Sequence, residues 1–192
     1  MSLIKQKIEE SLKNLNQLLS TEQELKNIDT AAEWIISAIR NGKKLLICGN
    51  GGSAADAQHV AGEFIGRFYV NRRPLPAVAL TTDSAVLTCV ANDFSYDDVF
   101  SRQVEAIGQE RDILLGISTS GSSKNVLKAF QSAKKKQIKT ILLTGQTERE
   151  IAGVSDLVIK TPSRDTPRIQ EMHLLVEHII SEIVEQGFSH EM

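Results

Sequence analysis

Five short apolar segments, separated by stretches with helical periodicity, constrain the fold of this 192-residue chain more than any other feature. Apolar runs bounded by turn residues are typical of strands buried on both faces, and strands that alternate with helices indicate a parallel sheet. We therefore predict an α/β fold, a three-layer α/β/α sandwich with a five-stranded parallel sheet. The predicted strands are 44–48, 76–80, 113–117, 140–144 and 156–160. The predicted helices between and after them are 54–68, 84–90, 97–107, 126–136 and 169–186.

Two amphipathic helices precede the first strand. Apolar residues recur at spacings of three and four through 4–19 and 22–40, and Gly42 can end the second helix. These helices are more than a small sheet needs for cover, so their apolar stripes either pack against each other or against another subunit. We expect a single domain over 1–192, with N-terminal helices for oligomerisation in 1–42 and the α/β core in 43–192.

A loop rich in hydroxyl groups follows the third predicted strand. Ser118, Thr119, Ser120, Ser122 and Ser123 surround Gly121, and a helical pattern starts directly afterwards. Backbone N–H groups at a helix N-terminus carry partial positive charge, and hydroxyls add neutral donors. A serine-rich helix cap is the alternative, but one serine would be enough for that. The pattern favours a phosphate-binding loop.

A glycine-rich loop follows the first predicted strand. Gly49, Gly51 and Ala54 fit the G-x-G-x-x-A spacing of dinucleotide-binding proteins. That motif requires an acidic residue about 20 positions further on, at the end of the next strand, and Asp83 lies too far along. We interpret the loop as one that lies against a substrate, where glycine allows close approach of the backbone.

Side chains able to bind a metal or transfer protons occur on two predicted helices. His59 and Glu63 are four residues apart and therefore share one helix face. They could form half of a zinc site, an acid–base pair, or an ordinary hydrogen bond on the helix surface. The last helix carries Gln170, His173, Glu177 and His178. Gln170 and His178 are separated by a helical rise of about 12 Å, so a second copy of the chain could supply one of them to a shared site.

Asn92 and Asp93 follow an apolar helical segment. Their polar groups are suited to binding sugar hydroxyls, and capping of the preceding helix is an equal alternative.

Composition excludes several classes of protein. The net charge of −2 gives no reason to expect binding to nucleic acid, and no apolar run approaches the ~20 residues of a membrane span. The N-terminus lacks the apolar core of a signal peptide, so we expect a cytoplasmic protein without membrane partners. Cys48 and Cys89 lie in apolar stretches and are predicted to be buried free thiols.

Together, these segments resemble the sugar isomerase (SIS) family, and specifically its isomerases of heptose phosphates. The resemblance runs from about residue 44 to the C-terminus, and the two leading helices also fit. The matching stretches are 48–59, 66–68, 91–94, 100–104, 115–121 and 168–173. The resemblance implies an SIS fold of the flavodoxin-like type and a homotetramer with active sites at subunit contacts.

The resemblance also implies a reaction and a set of roles. The reaction is the isomerisation of sedoheptulose 7-phosphate to D-glycero-D-manno-heptose 7-phosphate, the first step towards ADP-heptose for the lipopolysaccharide core. Glu63 and His178 match the catalytic acid–base pair. The residues that match phosphate contacts are Ser118, Thr119, Ser120 and Ser123. Those that match sugar contacts are Asn50, Gly51, Gly52, Ser53, Asn92 and Asp93, with Glu63 and Gln170. Those that match the ligands of one zinc ion are His59, Glu63, Gln170 and His178.

Two departures from the family pattern occur. Residues 146–149 stand where many relatives have a glycine pair, and Pro167 stands where some have aspartate, so any role of that acid is missing. A non-catalytic SIS protein that binds the replication initiator is one rival interpretation, but such proteins typically lack acidic and imidazole groups at the positions of Glu63 and His178. An isomerase of another phosphosugar is the second rival.

Overall fold

The structure, a computed structural model, describes residues 2–146 and 150–189. Within them, five strands alternate with helices after two N-terminal helices. The strands are β1 (Leu45–Gly49), β2 (Ala77–Ala79), β3 (Ile113–Ser118), β4 (Lys139–Thr144) and β5 (Leu157–Lys160). The α-helices are α1 (Leu3–Leu19), α2 (Glu22–Arg40), α3 (Gly52–Ile65), α4 (Ser84–Asp93), α5 (Ser101–Ile107), α6 (Lys124–Lys135) and α7 (Thr166–Gln186).

All the strand pairs are parallel, in the order β2-β1-β3-β4-β5. This is the flavodoxin-like order, in which the chain changes direction across the sheet between β1 and β3. Ligands of such sheets bind beyond the carboxyl ends of the strands at that point. The glycine loop follows β1 and the hydroxyl loop follows β3, so the topology brings the two predicted ligand loops together.

Helices cover both faces of the sheet and confirm the predicted three-layer sandwich. Alternate side chains of the central strands enter two separate apolar clusters, and β1 and β3 are buried along their whole length. One cluster contains side chains of α2, α3 and α7, and the other contains side chains of α4, α5 and α6. This double cover explains why the strands read as unbroken apolar runs.

The two N-terminal helices differ in what their apolar stripes contact. The α2 stripe, including Ile28 and Ile35, is buried in the first cluster. The α1 stripe is exposed, with Ile4 at 74% and Leu12 at 53%. The two stripes therefore do not cover each other, and the α1 stripe is free to contact another chain.

Several predictions of local structure were wrong. Cys89 is exposed on α4, whereas Cys48 is buried as expected. The third helix ends at Ile65 rather than at 68, and the predicted helix over 97–107 divides into a short 3₁₀ turn at Tyr96–Asp98 and α5. Pro167 lies in the first turn of α7, where its missing N–H costs nothing. Residues 147–149 of the departing loop lie outside the described residues.

None of the helices within the described residues is both long and apolar enough to cross a membrane. The cytoplasmic location stays a prediction.

Candidate active site

The glycine loop turns directly into α3 and contacts α7. Gly51 has φ of +59°, a conformation that favours glycine. A Cβ on Gly52 would overlap the carboxamide of Gln170, so glycine at this position lets the Gln170 side chain lie against the start of α3. Ser53 is buried. The loop thus brings Gly51, Gly52 and Gln170 together at one end of the α3–α7 pair.

The hydroxyl loop forms a compact turn between β3 and α6. Its two ends face each other, with Ser118 Oγ and Ser123 Oγ 3.0 Å apart. The Ser122 hydroxyl donates to Ser120 Oγ over 3.0 Å, and Gly121 takes φ of +65°. Ser123 is the N-cap residue of α6, but its side chain makes no capping bond. A serine that served only as a cap would make that bond, so the geometry favours the phosphate-loop interpretation over the capping one.

Asn125 and Tyr96, which the sequence did not single out, connect the ligand loops through Asn50. Asn50 and Asn125 pair through both carboxamides, at 2.9 and 2.8 Å. Tyr96 donates its hydroxyl to Asn50 Oδ1 over 3.1 Å. Asn125 is almost fully buried, which strengthens the bonds it makes. A polar residue in the first turn of a helix was the one available signal, and it does not identify the partner.

Asn92 and Asp93 end α4 and are both exposed. The Asn92 amide donates to Asp93 Oδ1 over 2.8 Å. That bond, followed by one from the Cys89 thiol, lowers the pKa of Asp93. The predicted role of this pair with sugar hydroxyls stays a prediction.

The predicted catalytic residues meet within one chain. His59 and Glu63 lie on α3 and His178 on α7. His59 Nε2 lies 2.8 Å from His178 Nε2 and 3.5 Å from Glu63 Oε1. Both predicted members of the acid–base pair therefore flank the same imidazole nitrogen. The His59 side chain is 43% exposed, so this group of residues is open to solvent on one side.

The predicted zinc ligands divide into two places. Gln170 packs against Gly52, and His178 lies a further eight residues along α7, about 12 Å by helical rise. Two imidazole nitrogens and a carboxylate are suitable zinc donors in chemical type. In the part of the chain that the structure describes, no three His, Cys, Asp or Glu side chains are arranged to hold a metal ion. One chain alone therefore supplies a partial donor set, and the four-ligand zinc site stays a prediction.

Buried polar side chains line the side of α7 behind the imidazole pair. Burial lowers the pKa of His173 to about 4, and the Thr144 backbone offsets this only in part. Burial, together with the Asp56 carboxylate, raises the pKa of Glu177 to about 8. Neither residue makes a hydrogen bond of ordinary geometry. At neutral pH both side chains are therefore uncharged, and His173 is a core residue rather than a ligand.

Comparison with known proteins identifies the family. A family model for the SIS domain matches residues 8–145. A phosphoheptose isomerase of Aneurinibacillus thermoaerophilus is 48% identical over 184 residues, which cover 96% of this chain and 93% of that protein. The chain belongs to the SIS domain family. Within it, the chain groups with the phosphoheptose isomerases, and the prediction of an isomerase is confirmed.

Solved structures of phosphoheptose isomerases have the same fold as this SIS protein. A phosphoheptose isomerase from Neisseria gonorrhoeae superposes with a TM-score of 0.89 at 38% identity, over 95% of this chain and 97% of that one. One from Francisella tularensis gives 0.91 at 36% identity, over 95% and 96%. The family, the α/β fold and the layered architecture predicted from the sequence are therefore confirmed.

Proposed function

We propose that this SIS protein converts sedoheptulose 7-phosphate to D-glycero-D-manno-heptose 7-phosphate, the first step towards ADP-heptose for the lipopolysaccharide core. The observation that carries the proposal is the meeting of Glu63, His59 and His178 at one imidazole nitrogen. The names of the most similar relatives point to the same substrate class.

The residues match the needs of a ketose–aldose isomerisation. A proton must leave one carbon and reach its neighbour through an enediol, while the oxygens exchange a second proton. Glu63, a carboxylate 22% exposed at the site, takes the carbon-bound proton as base. His178 serves the oxygens as acid. The hydroxyls of Ser118 and Ser123 bind the phosphate and hold the sugar chain in register.

Zinc is part of the proposal. His59, Glu63 and His178 would hold the ion, with Gln170 as the fourth ligand. A bound zinc ion would polarise the substrate carbonyl as a Lewis acid. The facing Nε2 atoms of the two histidines, 2.8 Å apart, support this role, since as free bases they can share only one proton between them.

A second copy of the chain completes the site in this proposal. The exposed His59 is accompanied on the same two helices by exposed apolar side chains, Ile65 and Leu175 among them. Exposed apolar patches of this kind mark association surfaces. With the uncovered α1 stripe, they support the predicted homotetramer with shared active sites.

The decisive experiment is NMR of the products formed from sedoheptulose 7-phosphate, with and without a chelator. We expect aldose product from the wild type, loss of activity on metal removal, and no turnover by Glu63→Gln at unchanged thermal stability. Full activity of Glu63→Gln would refute the catalytic assignment, and activity that survives metal removal would refute the zinc assignment.

Parallel arms of that experiment address the rival functions. Turnover of a pentose or hexose phosphate, but not of sedoheptulose 7-phosphate, would favour an isomerase of another phosphosugar. Retention of the replication initiator in a pull-down, with no turnover of any sugar phosphate, would favour the non-catalytic one.

A further inference from the structure

We propose that the buried pair of Arg72 and Glu185 positions the catalytic residues, by tying the end of α3 and the loop after it to α7. This inference rests on the proposed function, because it concerns the placement of Glu63 and His178. Both side chains of the pair are almost fully buried, at 1% and 2% exposure, and neither belongs to the site described above.

Glu185 binds the loop that follows α3. Its carboxylate accepts backbone N–H bonds from Phe68 at 2.8 Å, Tyr69 at 2.6 Å and Val70 at 3.1 Å. Burial alone would raise the pKa of Glu185, but these three bonds, together with Arg72, lower it below its ordinary value. The side chain is therefore a carboxylate at neutral pH, and three consecutive donors fix the loop to it.

Arg72 binds the end of the helix that carries Glu63. Its guanidinium donates to the carbonyl oxygens of Glu63 at 2.8 Å and Phe64 at 2.9 Å, and more weakly to Gly66 at 3.4 Å. Arg72 Nε also lies 3.3 Å from Glu185 Oε1. The last carbonyls of a helix have no partners within the helix, so one side chain from the loop both caps α3 and joins it to α7.

The loop held in this way carries an aromatic ring to the catalytic imidazole. The Phe68 ring lies 5.7 Å from the His178 ring, centroid to centroid. Phe68 donates its backbone N–H to Glu185, two helical turns beyond His178 on α7. The pair thus fixes the main chain at Glu63 and the loop whose Phe68 ring lies beside His178, without touching a reacting atom.

A second buried pair provides a matched control. Asp112 is fully buried, accepts backbone N–H bonds from Lys44 at 3.0 Å and Gln109 at 2.8 Å, and pairs with Lys44 Nζ at 2.6 Å. It resembles Glu185 in burial and in partners. Lys44 and Asp112 directly precede β1 and β3, at the amino ends of these strands. The ligand loops lie at the opposite, carboxyl ends. Asp112→Asn therefore reports the cost of damaging such a pair away from the site.

The first test compares the kinetics of Glu185→Gln and Asp112→Asn with sedoheptulose 7-phosphate. Both variants should lose thermal stability. Glu185→Gln should lower kcat about tenfold or more while KM stays within about twofold, because the phosphate loop is untouched. Asp112→Asn should leave both constants near those of the wild type. Equal kcat for the two variants, after matching for folded fraction, would overturn the proposal.

The second test does not depend on turnover. Phe68→Leu leaves the buried pair intact and removes only the ring beside His178. With four histidines in the chain, imidazole NMR resolves each ring, and His178→Gln assigns the signal. Glu185→Gln and Phe68→Leu should shift the His178 resonance, and Asp112→Asn should not. An unmoved His178 signal in folded Glu185→Gln refutes the positioning role, because Phe68→Leu shifts that signal simply by removing the neighbouring ring. Wild-type inactivity with shifted signals refutes only the proposed reaction.

Discussion

Replacing Glu177 by glutamine should change how the stability of the protein depends on pH. Glu177 is 1% exposed on α7. Burial and the nearby Asp56 carboxylate raise its pKa from an ordinary 4.5 to about 8. The folded protein therefore holds this proton at neutral pH, while the unfolded chain releases it. The uncharged amide of Glu177→Gln has a similar shape and has no proton to lose.

The sign and size of the effect follow from proton linkage. The stability that Glu177 contributes is complete below pH 4.5 and is lost as the pH rises towards about 8. His173 acts in the opposite direction, since its pKa falls from 6.5 to about 4 and stability is lost as the pH falls through that window. The two effects offset each other between pH 4.5 and 6.5. Above pH 6.5, where only Glu177 still changes, the wild type should lose roughly 2 kcal/mol by pH 8.

Urea unfolding at pH 6.5 and pH 8 measures this difference, at one protein concentration because association also affects apparent stability. The free energy of unfolding should fall by roughly 2 kcal/mol more in the wild type than in Glu177→Gln. His173→Gln should retain the alkaline loss and gain stability as the pH falls from 6.5 to 4.5, because the opposing effect of His173 is gone. Parallel pH dependence of the wild type and Glu177→Gln above pH 6.5 would refute the argument that Glu177 is protonated in the fold.

Three further predictions test packing, the link between the loops and association. Gly116→Ala should destabilise by about 1–3 kcal/mol in thermal unfolding, because its Cβ would overlap the Phe130 ring, whereas Gly62→Ala on the open face of α3 should not destabilise. Asn125→Ala should lower the free energy of unfolding by about 1–3 kcal/mol and raise KM in steady-state assays, because Asn50 loses its partner. Asn27→Ala, which loses a bond to the Val158 carbonyl on the edge strand, should leave KM unchanged. Ile8→Glu in the exposed α1 stripe should reduce the assembly size in light scattering and lower activity; an intact and fully active assembly would contradict the role of α1.

The strands were within reach of the sequence because burial on both faces leaves a strong pattern. Residues 113–117 are apolar without interruption, and the observed β3 differs from the prediction by one residue. The end of α3 was not predictable, because the helix stops where Arg72 captures the carbonyls of Glu63 and Phe64 from a separate segment. Cys89 was misjudged because apolar neighbours in the chain do not fix which way a helical side chain faces.

In the candidate site, too, some residues were predictable from the sequence and others were not. Ser118 and Ser123 were identifiable, since a hydroxyl cluster between a strand and a helix has a physical reason to be there. The pairing of Asn50 with Asn125 spans 75 residues, and that of Phe68 with Glu185 spans 117. Asn125 and Glu185 carry no local signal, because an asparagine or a glutamate on a helix resembles an ordinary polar residue. Only the tertiary arrangement gives these residues a function.

The arrangement along α3 and α7 explains why one chain does not complete the predicted site. The two helices run parallel: Gln170 contacts Gly52 near the start, His178 contacts His59 further on, and Glu185 holds the loop beyond the end. The first two contacts are therefore separated by roughly 10 Å of helical rise. An ion requires all its ligands within a bond length of about 2 Å, so one straight helix does not deliver Gln170 and His178 to the same ion. A symmetric partner whose α7 crosses this face would remove the separation, because its glutamine could meet the imidazole pair of the first chain. The exposed side of His59, 43% accessible, leaves room for such a partner.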